Sequence, residues 1–247
     1  MDLSKKSALV IGAGGLGGPA LLTLAAGGVG RLVVIDDDVV ETSNLNRQPL
    51  FGEADLGQPK AVLAAARLQQ LFPAVQVTAL NRRFDAGEAV ELVSGADVLL
   101  DGSDNFPTKF LASDAALKAG KPLVHGGVLR TSLQILTVAP GFSGCVRCLF
   151  EAPPPAGQVP TCAEAGIVGA LSGFAGGLMG AEALRLLAGE RGSYAGRLFV
   201  FEARTGRGRL VLVRRRPGCP ACAGTQPLEP SGPAGPVACA TPAGAQP

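Results

Sequence analysis

Apolar runs and polar breaks alternate along the first part of the chain. Short apolar runs predict strands at 7–11, 32–35, 75–80, 97–100, 122–125 and 133–138. Helical patterns between them predict helices at 19–26, 60–71, 86–94 and 107–119. Strands that alternate with helices in this way pair in parallel through right-handed crossovers. The pattern therefore predicts an α/β fold, with a Rossmann-like, mostly parallel sheet and helices on both faces.

The alternation ends near residue 140. A small-residue helix is predicted at 168–188, and two β runs at 198–201 and 210–213 predict a C-terminal antiparallel extension. Residues 224–247 contain six prolines, four glycines and one charge, a composition typical of a disordered tail. We predict one domain over 1–223, with a Rossmann-like part over 1–140 and a second part over 141–223, followed by the tail.

Composition excludes several classes of function. The chain is 47% hydrophobic, enough for a core, and its 22 basic and 20 acidic residues give a net charge of only +2. Because the net charge is so small, the composition does not indicate a polycationic surface that would bind nucleic acid or an anionic membrane. The uncharged run 7–30 has eight glycines among 24 residues, which argues against a signal peptide or a membrane span. We expect a cytoplasmic protein.

A glycine-rich turn, Gly12-Ala13-Gly14-Gly15-Leu16-Gly17, connects the first strand to the first helix. Glycines let the backbone approach a phosphate closely, and the free N–H groups of the following helix attract the anion. Asp36 ends the second strand, where a carboxylate accepts hydrogen bonds from a ribose. These residues predict a nucleotide-binding βαβ unit. The turn alone does not show which of NAD, FAD and ATP is bound. A glycine-rich turn can also serve only to pack a helix on a sheet.

Polar positions elsewhere indicate a phosphate and metal site. Residues 37–51 predict a functional loop, and Lys60 begins the next helix, where a lysine is unfavourable unless an anion offsets it. We interpret Lys60 as a phosphate ligand. The fourth strand leads into Asp101-Gly102-Ser103-Asp104-Asn105 at the carboxyl end of the sheet, where carboxylates can reach a nucleotide's metal.

The six cysteines include two C-x-x-C pairs, Cys145/Cys148 and Cys219/Cys222. A disulfide framework is typical of smaller, secreted chains, whereas paired cysteines in a chain expected to be cytoplasmic suit a tetrahedral zinc site better. Four unrelated thiols remain the alternative. Cys239 lies in the predicted tail and is interpreted as incidental. His125 is the only histidine, and we expect a packed or hydrogen-bonded role for it rather than a catalytic one.

Six motifs occur together in this sequence: the glycine turn, Asp36-Asp37-Asp38, Ser43-Asn44-Leu45-Asn46-Arg47-Gln48, Gly57-Gln58-Pro59-Lys60, the Asp101–Asn105 segment and the paired cysteines. From about residue 6 to 223, the ordered set closely resembles the ThiF/MoeB/HesA family. Members are similar to ubiquitin-activating enzymes and adenylate the C-terminal glycine of small ubiquitin-like sulfur carriers such as ThiS and MoaD. The resemblance implies a ThiF-type adenylation domain, a homodimer, and ATP, Mg²⁺ and Zn²⁺ as cofactors.

The resemblance also implies roles for individual residues. In the nucleotide site it implies, the ligands are glycines 12, 14, 15 and 17 with Asp36, Asp38, Asp104 and Asn105. Asn44 and Arg47 would reach the phosphates, and Lys60 would bind phosphate. Asp104 would also hold Mg²⁺. Arg47, Lys60 and Asp104 would be catalytic, because a carboxylate attacking the α-phosphorus needs alignment and charge neutralisation more than a covalent nucleophile. The alternatives are that Arg47 and Lys60 are solvated surface charges and that Asp104 caps the following helix.

Cys162 occupies the position where some family members form a covalent persulfide link to the carrier and others have a cysteine that they do not need. A sulfur-relay role and a passive thiol both stay open. We expect sulfur to arrive from an external donor such as a cysteine desulfurase or a rhodanese. Family members commonly carry an N-terminal segment whose arginine reaches the partner subunit's active site. This sequence has few residues before its first strand, so we expect either that its start is truncated or that another arginine serves.

Two other functions stay open. An NAD(P)- or FAD-dependent oxidoreductase would explain the glycines and Asp36 but not Asn44, Arg47, Lys60 or the paired cysteines. A non-catalytic scaffold that binds the carrier would explain the missing N-terminal arginine. The sequence does not distinguish thiamin, molybdopterin, thio-tRNA or cysteine biosynthesis as the pathway that receives the sulfur.

Overall fold

The computed structural model describes residues 2–154 and 166–229 and contains one eight-stranded sheet within those ranges, in the order β3-β2-β1-β4-β5-β6-β7-β8. Its strands are β1 (Ser7–Ile11), β2 (Arg31–Ile35), β3 (Gln76–Leu80), β4 (Val98–Asp101), β5 (Leu123–Leu129), β6 (Ser132–Val138), β7 (Arg197–Glu202) and β8 (Arg207–Leu212). Strands β1 to β5 pair in parallel, and β6 to β8 extend the sheet in antiparallel fashion. The predicted fold class is confirmed.

Helices cover both faces of the sheet. They are α1 (Gly17–Ala26), α2 (Lys60–Leu71), α3 (Ala89–Ser94), α4 (Phe106–Ala119), α5 (Val146–Leu149) and α6 (Gly169–Leu187). One apolar cluster lies beneath α1, α2 and α6, and a second lies beneath α3, α4 and α5. The helices within the described ranges include none that is long and apolar enough to cross a membrane.

Several predicted boundaries were wrong. Strand β5 continues past His125 to Leu129 and forms a hairpin with β6, where Leu129 pairs with Ser132. Gly126 and Gly127 have low strand propensity and obscured this extension. The helix predicted at 86–94 begins at Ala89, and the short helix α5 at the first C-x-x-C was not predicted.

The glycines of α6 explain how closely this helix packs on α1. A Cβ on Gly176 would overlap the Leu16 carbonyl oxygen, and one on Gly180 would lie 2.5 Å from the Thr23 Cβ. Gly177, by contrast, faces open space. Small residues on one face of α6 therefore let two helix backbones approach each other, with the glycine turn at one end of the contact.

The neighbouring positions Gly176 and Gly177 give a matched test of this packing. Gly176→Ala should lower the free energy of unfolding by about 1–3 kcal/mol, because the added methyl group forces the helices apart. Gly177→Ala should raise it by up to about 1 kcal/mol, because alanine favours a helix and nothing obstructs it. Urea unfolding of both variants checks the prediction. Equal effects of the two substitutions would contradict it.

Candidate functional site

The glycine turn lies where three parallel strands end. The Gly12 N–H donates to the Ile35 carbonyl oxygen at 2.8 Å, and the Gly102 N–H donates to the Ile11 carbonyl oxygen at 2.9 Å. Gly12 has a φ of +85°, and a Cβ on Gly17 would overlap the Gly12 oxygen. Among the residues that the structure describes, no side chain caps the N-terminus of α1. The turn therefore presents a helix N-terminus that suits an anion.

Asp36 ties the end of β2 to this turn. Its Oδ2 accepts a hydrogen bond from the Ala13 N–H at 2.6 Å, and its Oδ1 accepts one from the Asp38 N–H at 2.8 Å. Burial raises the pKa of Asp36 to about 6, against the opposing effects of the Lys60 charge and the Ala13 N–H. The carboxylate thus stands at the position predicted for a ribose ligand. Its contact with a ribose stays a prediction.

Lys60 already has an anionic partner in the protein. Its Nζ lies 2.8 Å from Asp38 Oδ2, and the side chain of Lys60 is 6% exposed whereas that of Asp38 is 68% exposed. Carboxylate oxygens of Asp36, Asp37 and Asp38 lie within 4.8 Å of one another. Asp38 supplies the anion that a lysine at this helix N-terminus requires, and binding of Lys60 to a phosphate stays a prediction. Lys60 is also buried rather than a solvated surface charge.

Arg47 lies beside the glycine turn. Its Nη1 donates to the Ser43 carbonyl oxygen at 2.7 Å and to Asn46 Oδ1 at 3.1 Å, and its own carbonyl oxygen is 3.4 Å from the position of a Cβ on Gly15. Asn44 is buried in the same loop, where its Nδ2 donates to Ser43 Oγ at 3.3 Å. Within the described ranges Arg47 forms no ion pair, so its charge is available to an anion.

Asp104 and Asn105 have different roles in the local structure. Asn105 caps α4, because its Oδ1 accepts a hydrogen bond from the Thr108 N–H at 2.9 Å. Asp104 is exposed and forms no hydrogen bond or ion pair with the residues that the structure describes. The alternative that Asp104 caps the helix is therefore wrong. Its carboxylate is left free to bind a cation.

A buried network beneath the site was not predicted. Asp101 is fully buried, and its Oδ2 lies 2.8 Å from His125 Nδ1 and 3.4 Å from Lys109 Nζ. Ser103 Oγ donates to Asp101 Oδ1 at 2.5 Å, and Lys109 also donates to the Gly126 carbonyl oxygen at 2.7 Å. The expected hydrogen-bonded role of His125 is confirmed. The contacts depend on the pairing of Asp101 with His125 across β4 and β5.

This network shifts the titration of its members. Although burial alone would raise the pKa of Asp101, the Lys109 ammonium and the hydrogen bonds from His125 and Ser103 hold it well below its usual range. Burial, together with the charge of Lys109, lowers the pKa of His125 below its ordinary value, although the contact with Asp101 opposes this shift. His125 is therefore neutral in the folded protein at neutral pH.

The four paired cysteines meet at one point. Their Sγ atoms are separated by 3.7 Å for Cys145 and Cys148, 3.7 Å for Cys145 and Cys219, and 3.5 Å for Cys148 and Cys222. All four are free thiols. Thiolates around a tetrahedral zinc ion would lie about 3.8 Å apart, given Zn–S bonds of about 2.3 Å. The donor set therefore fits such an ion, while Cys162 and Cys239 lie outside the described residues.

Comparisons with known proteins agree with these features. The family model described as the ThiF family matches residues 1–221. The chain is 45% identical over 232 residues to the sulfur carrier protein adenylyltransferase of Thermus thermophilus, covering 92% of this chain and 85% of that protein. It is also 45% identical over 214 residues to the SAMP-activating enzyme E1 of Haloferax volcanii, covering 87% and 79%.

Longer proteins share the same region. The chain is 46% identical over 223 residues to the adenylyltransferase and sulfurtransferase MOCS3 of Bos taurus, which covers 90% of this chain but only 49% of that protein. Among solved structures, Escherichia coli MccB crystallised with ATP superposes with a TM-score of 0.77 at 20% identity, over 89% of this chain and 67% of that one. The last likeness is one of fold alone.

His125 gives a pH dependence whose sign follows from its lowered pKa. In the unfolded chain it takes up a proton below about pH 6.5, whereas in the folded protein it stays neutral to lower pH. Between those pH values the unfolded state binds more protons, so acidification lowers the free energy of unfolding by at most about 1.4 kcal/mol per pH unit. Asp36, with its raised pKa, acts in the opposite direction.

The measurement is therefore the difference in unfolding free energy between the wild-type protein and His125→Gln from pH 7 to pH 5. We expect the wild type to lose stability relative to the variant as the pH falls. A difference in unfolding free energy that stays constant from pH 7 to pH 5 would contradict the lowered pKa of His125.

Proposed function

The chain belongs to the ThiF family, and from this premise we propose that it is an adenylyltransferase that uses ATP to activate the C-terminal glycine of a small ubiquitin-like sulfur carrier protein. The observation that carries the proposal is the position of Arg47. This half-buried residue forms no ion pair within the described ranges and lies beside Gly15 of the glycine turn. No described side chain caps the helix that follows this turn. The names of the relatives favour this activity over the oxidoreductase interpretation.

In the proposed reaction the carrier carboxylate attacks the α-phosphorus of ATP. A new O–P bond forms, the bond to the β-phosphate oxygen breaks, and pyrophosphate leaves. Arg47 and Lys60 would neutralise the negative charge that develops on the phosphates, and Lys60 can do so while keeping Asp38, because an ammonium has three donors. Asp36 would orient the ribose, with the glycines, Asp38 and Asn44 completing the nucleotide site.

Asp104 is the residue proposed to bind Mg²⁺, with Asn105 beside it at the start of α4. Carboxylate oxygens are ligands that Mg²⁺ prefers, and the ion usually binds through one or two carboxylates and the substrate phosphates. Bound there, Mg²⁺ would supply charge stabilisation of the leaving pyrophosphate. The freedom of the Asp104 carboxylate supports this role.

The four clustered cysteines are proposed to bind one Zn²⁺. The four Sγ atoms lie within 4.8 Å of one another, which supports a structural site with four thiolate ligands and no open coordination position. The backbone N–H of Arg216 donates to Cys148 Sγ at 3.3 Å and would orient that thiolate toward the ion. Such an ion would connect α5 to the segment after β8.

The remaining assignments concern partners. We propose that the protein acts as a homodimer and receives sulfur from an external donor such as a cysteine desulfurase or a rhodanese. Cys162 is a candidate for a covalent sulfur relay, which the adenylation step does not require because that step forms and breaks only bonds of oxygen and phosphorus.

Pyrophosphate exchange tests the adenylation. Purified protein with ATP, Mg²⁺ and each ubiquitin-like carrier of its source should exchange labelled pyrophosphate into ATP with at least one carrier. Asp104→Ala should lower the exchange rate at limiting Mg²⁺ by about tenfold or more, because it removes a metal ligand, and leave carrier binding intact. Asp85→Asn, an exposed carboxylate outside the site, is the control.

Two outcomes would count against this proposal. Carrier binding without exchange by the wild-type protein would favour the scaffold. Full exchange by Asp104→Ala at limiting Mg²⁺ would remove Asp104 from the metal site.

Metal analysis tests the cysteine cluster. Untagged protein should contain one zinc ion per chain, and Cys222→Ser should lose it and unfold at a lower temperature, because binding of a structural ion contributes directly to folding. Cys239→Ser, which changes a cysteine outside the cluster, should keep the ion. Clearly substoichiometric zinc in the wild-type protein would contradict the assignment.

A further inference from the structure

Gln48 is the last residue of the segment Ser43–Gln48, which lies in the loop before α2. The residue is 5% exposed, and its Oε1 is buried without a hydrogen-bond partner. Neither end of its carboxamide is hydrogen-bonded to the residues that the structure describes. A buried polar group without a partner costs free energy and is rare in folded proteins.

The carboxamide lies against the glycine turn. Gln48 Nε2 is 3.3 Å from the position of a Cβ on Gly14, and the following Leu50 Cδ1 is 3.4 Å from that of a Cβ on Gly18. The loop that carries Gln48 thus runs along the turn and the first residues of α1. The amide nitrogen, with two N–H donors, stands beside the backbone that would surround a phosphate.

Stability does not explain a glutamine at this position. Methionine has a similar length and shape and would carry no unsatisfied acceptor, and replacing an unpaired buried polar group by an apolar group of the same shape is neutral or stabilising. The position therefore keeps an amide at the expense of stability. Residues that do so occur mainly at functional sites.

We propose that Gln48 is a further nucleotide ligand, whose side-chain Nε2 donates a hydrogen bond to a phosphate oxygen held at the glycine turn. Because the carboxamide is neutral, Gln48 would contribute a directional hydrogen bond, whereas Arg47 in the same loop would contribute positive charge. The inference rests on the proposed function only in taking ATP as the nucleotide.

The test compares Gln48→Met with the wild-type protein. The affinities for MgATP, AMP and adenosine are measured by calorimetry, and the unfolding temperature is measured without ligand. We expect MgATP and AMP to bind about tenfold more weakly, because a hydrogen bond to a charged group is lost, while adenosine binds equally well. The unfolding temperature should stay the same or rise.

Two further variants sharpen the result. Gln48→Glu keeps the shape but places a carboxylate beside the phosphate, so MgATP should bind still more weakly than to Gln48→Met. Gln70→Met makes the same chemical change at an exposed position of α2 and should alter neither affinity nor stability.

Unchanged affinity of Gln48→Met for MgATP would overturn the proposal. An equal loss of affinity for adenosine, or a lowered unfolding temperature, would also overturn it, because either result indicates a structural role. These measurements need no carrier. Absence of pyrophosphate exchange in the wild-type protein would therefore reject the proposed function while leaving the assignment of Gln48 to be judged by nucleotide affinity.

Discussion

The close approach of the backbone at the ends of β1, β2 and β4 is the constraint on which the site depends. Gly12, Gly17 and Gly102 pack so tightly that a side chain at Gly12 would lie 3.1 Å from the Gly102 carbonyl oxygen. At the same turn no described side chain caps the N-terminus of α1, and Asp36 accepts a hydrogen bond from the Ala13 N–H. The loop before α2 and the start of α6 then pack against the same turn.

Much of the fold and part of the site could be predicted from the sequence. The predicted bounds of strongly patterned elements such as β1 and α2 match the structure. The predicted order of strand, glycine turn and helix is also observed, whereas nucleotide binding at this turn stays a prediction. The cysteine cluster was predictable because C-x-x-C spacing implies shared geometry. By contrast, the contact of Asp101 with His125 depends on strand register, and the ion pair of Lys60 with Asp38 depends on tertiary placement, which local patterns do not encode.

Two sets of polar groups near the site differ in how much of their charge and hydrogen-bonding capacity the protein itself uses. Asp101, His125 and Lys109 satisfy one another beneath the sheet edge, so this network stiffens the strand ends and has little capacity left for a ligand. Arg47, Asp104 and Gln48 have unused charge or hydrogen-bonding capacity within the described residues. The distinction was invisible in the sequence, where Asp101 and Asp104 stand in one motif, and it separates residues that support the site from those that can contact reactants.

The cysteine cluster also has a consequence for the synthesis of the chain. Cys145 and Cys219 are 74 residues apart, so the first pair leaves the ribosome well before the second. At a synthesis rate of about 5–20 residues per second, roughly 4–15 s would pass between the synthesis of the first cysteine pair and that of Cys219 and Cys222. During that interval the nascent chain carries two thiols open to oxidation or to a competing metal. An ion held by all four cysteines could complete its coordination only after β8 has been synthesised, so its capture would be a late step in maturation.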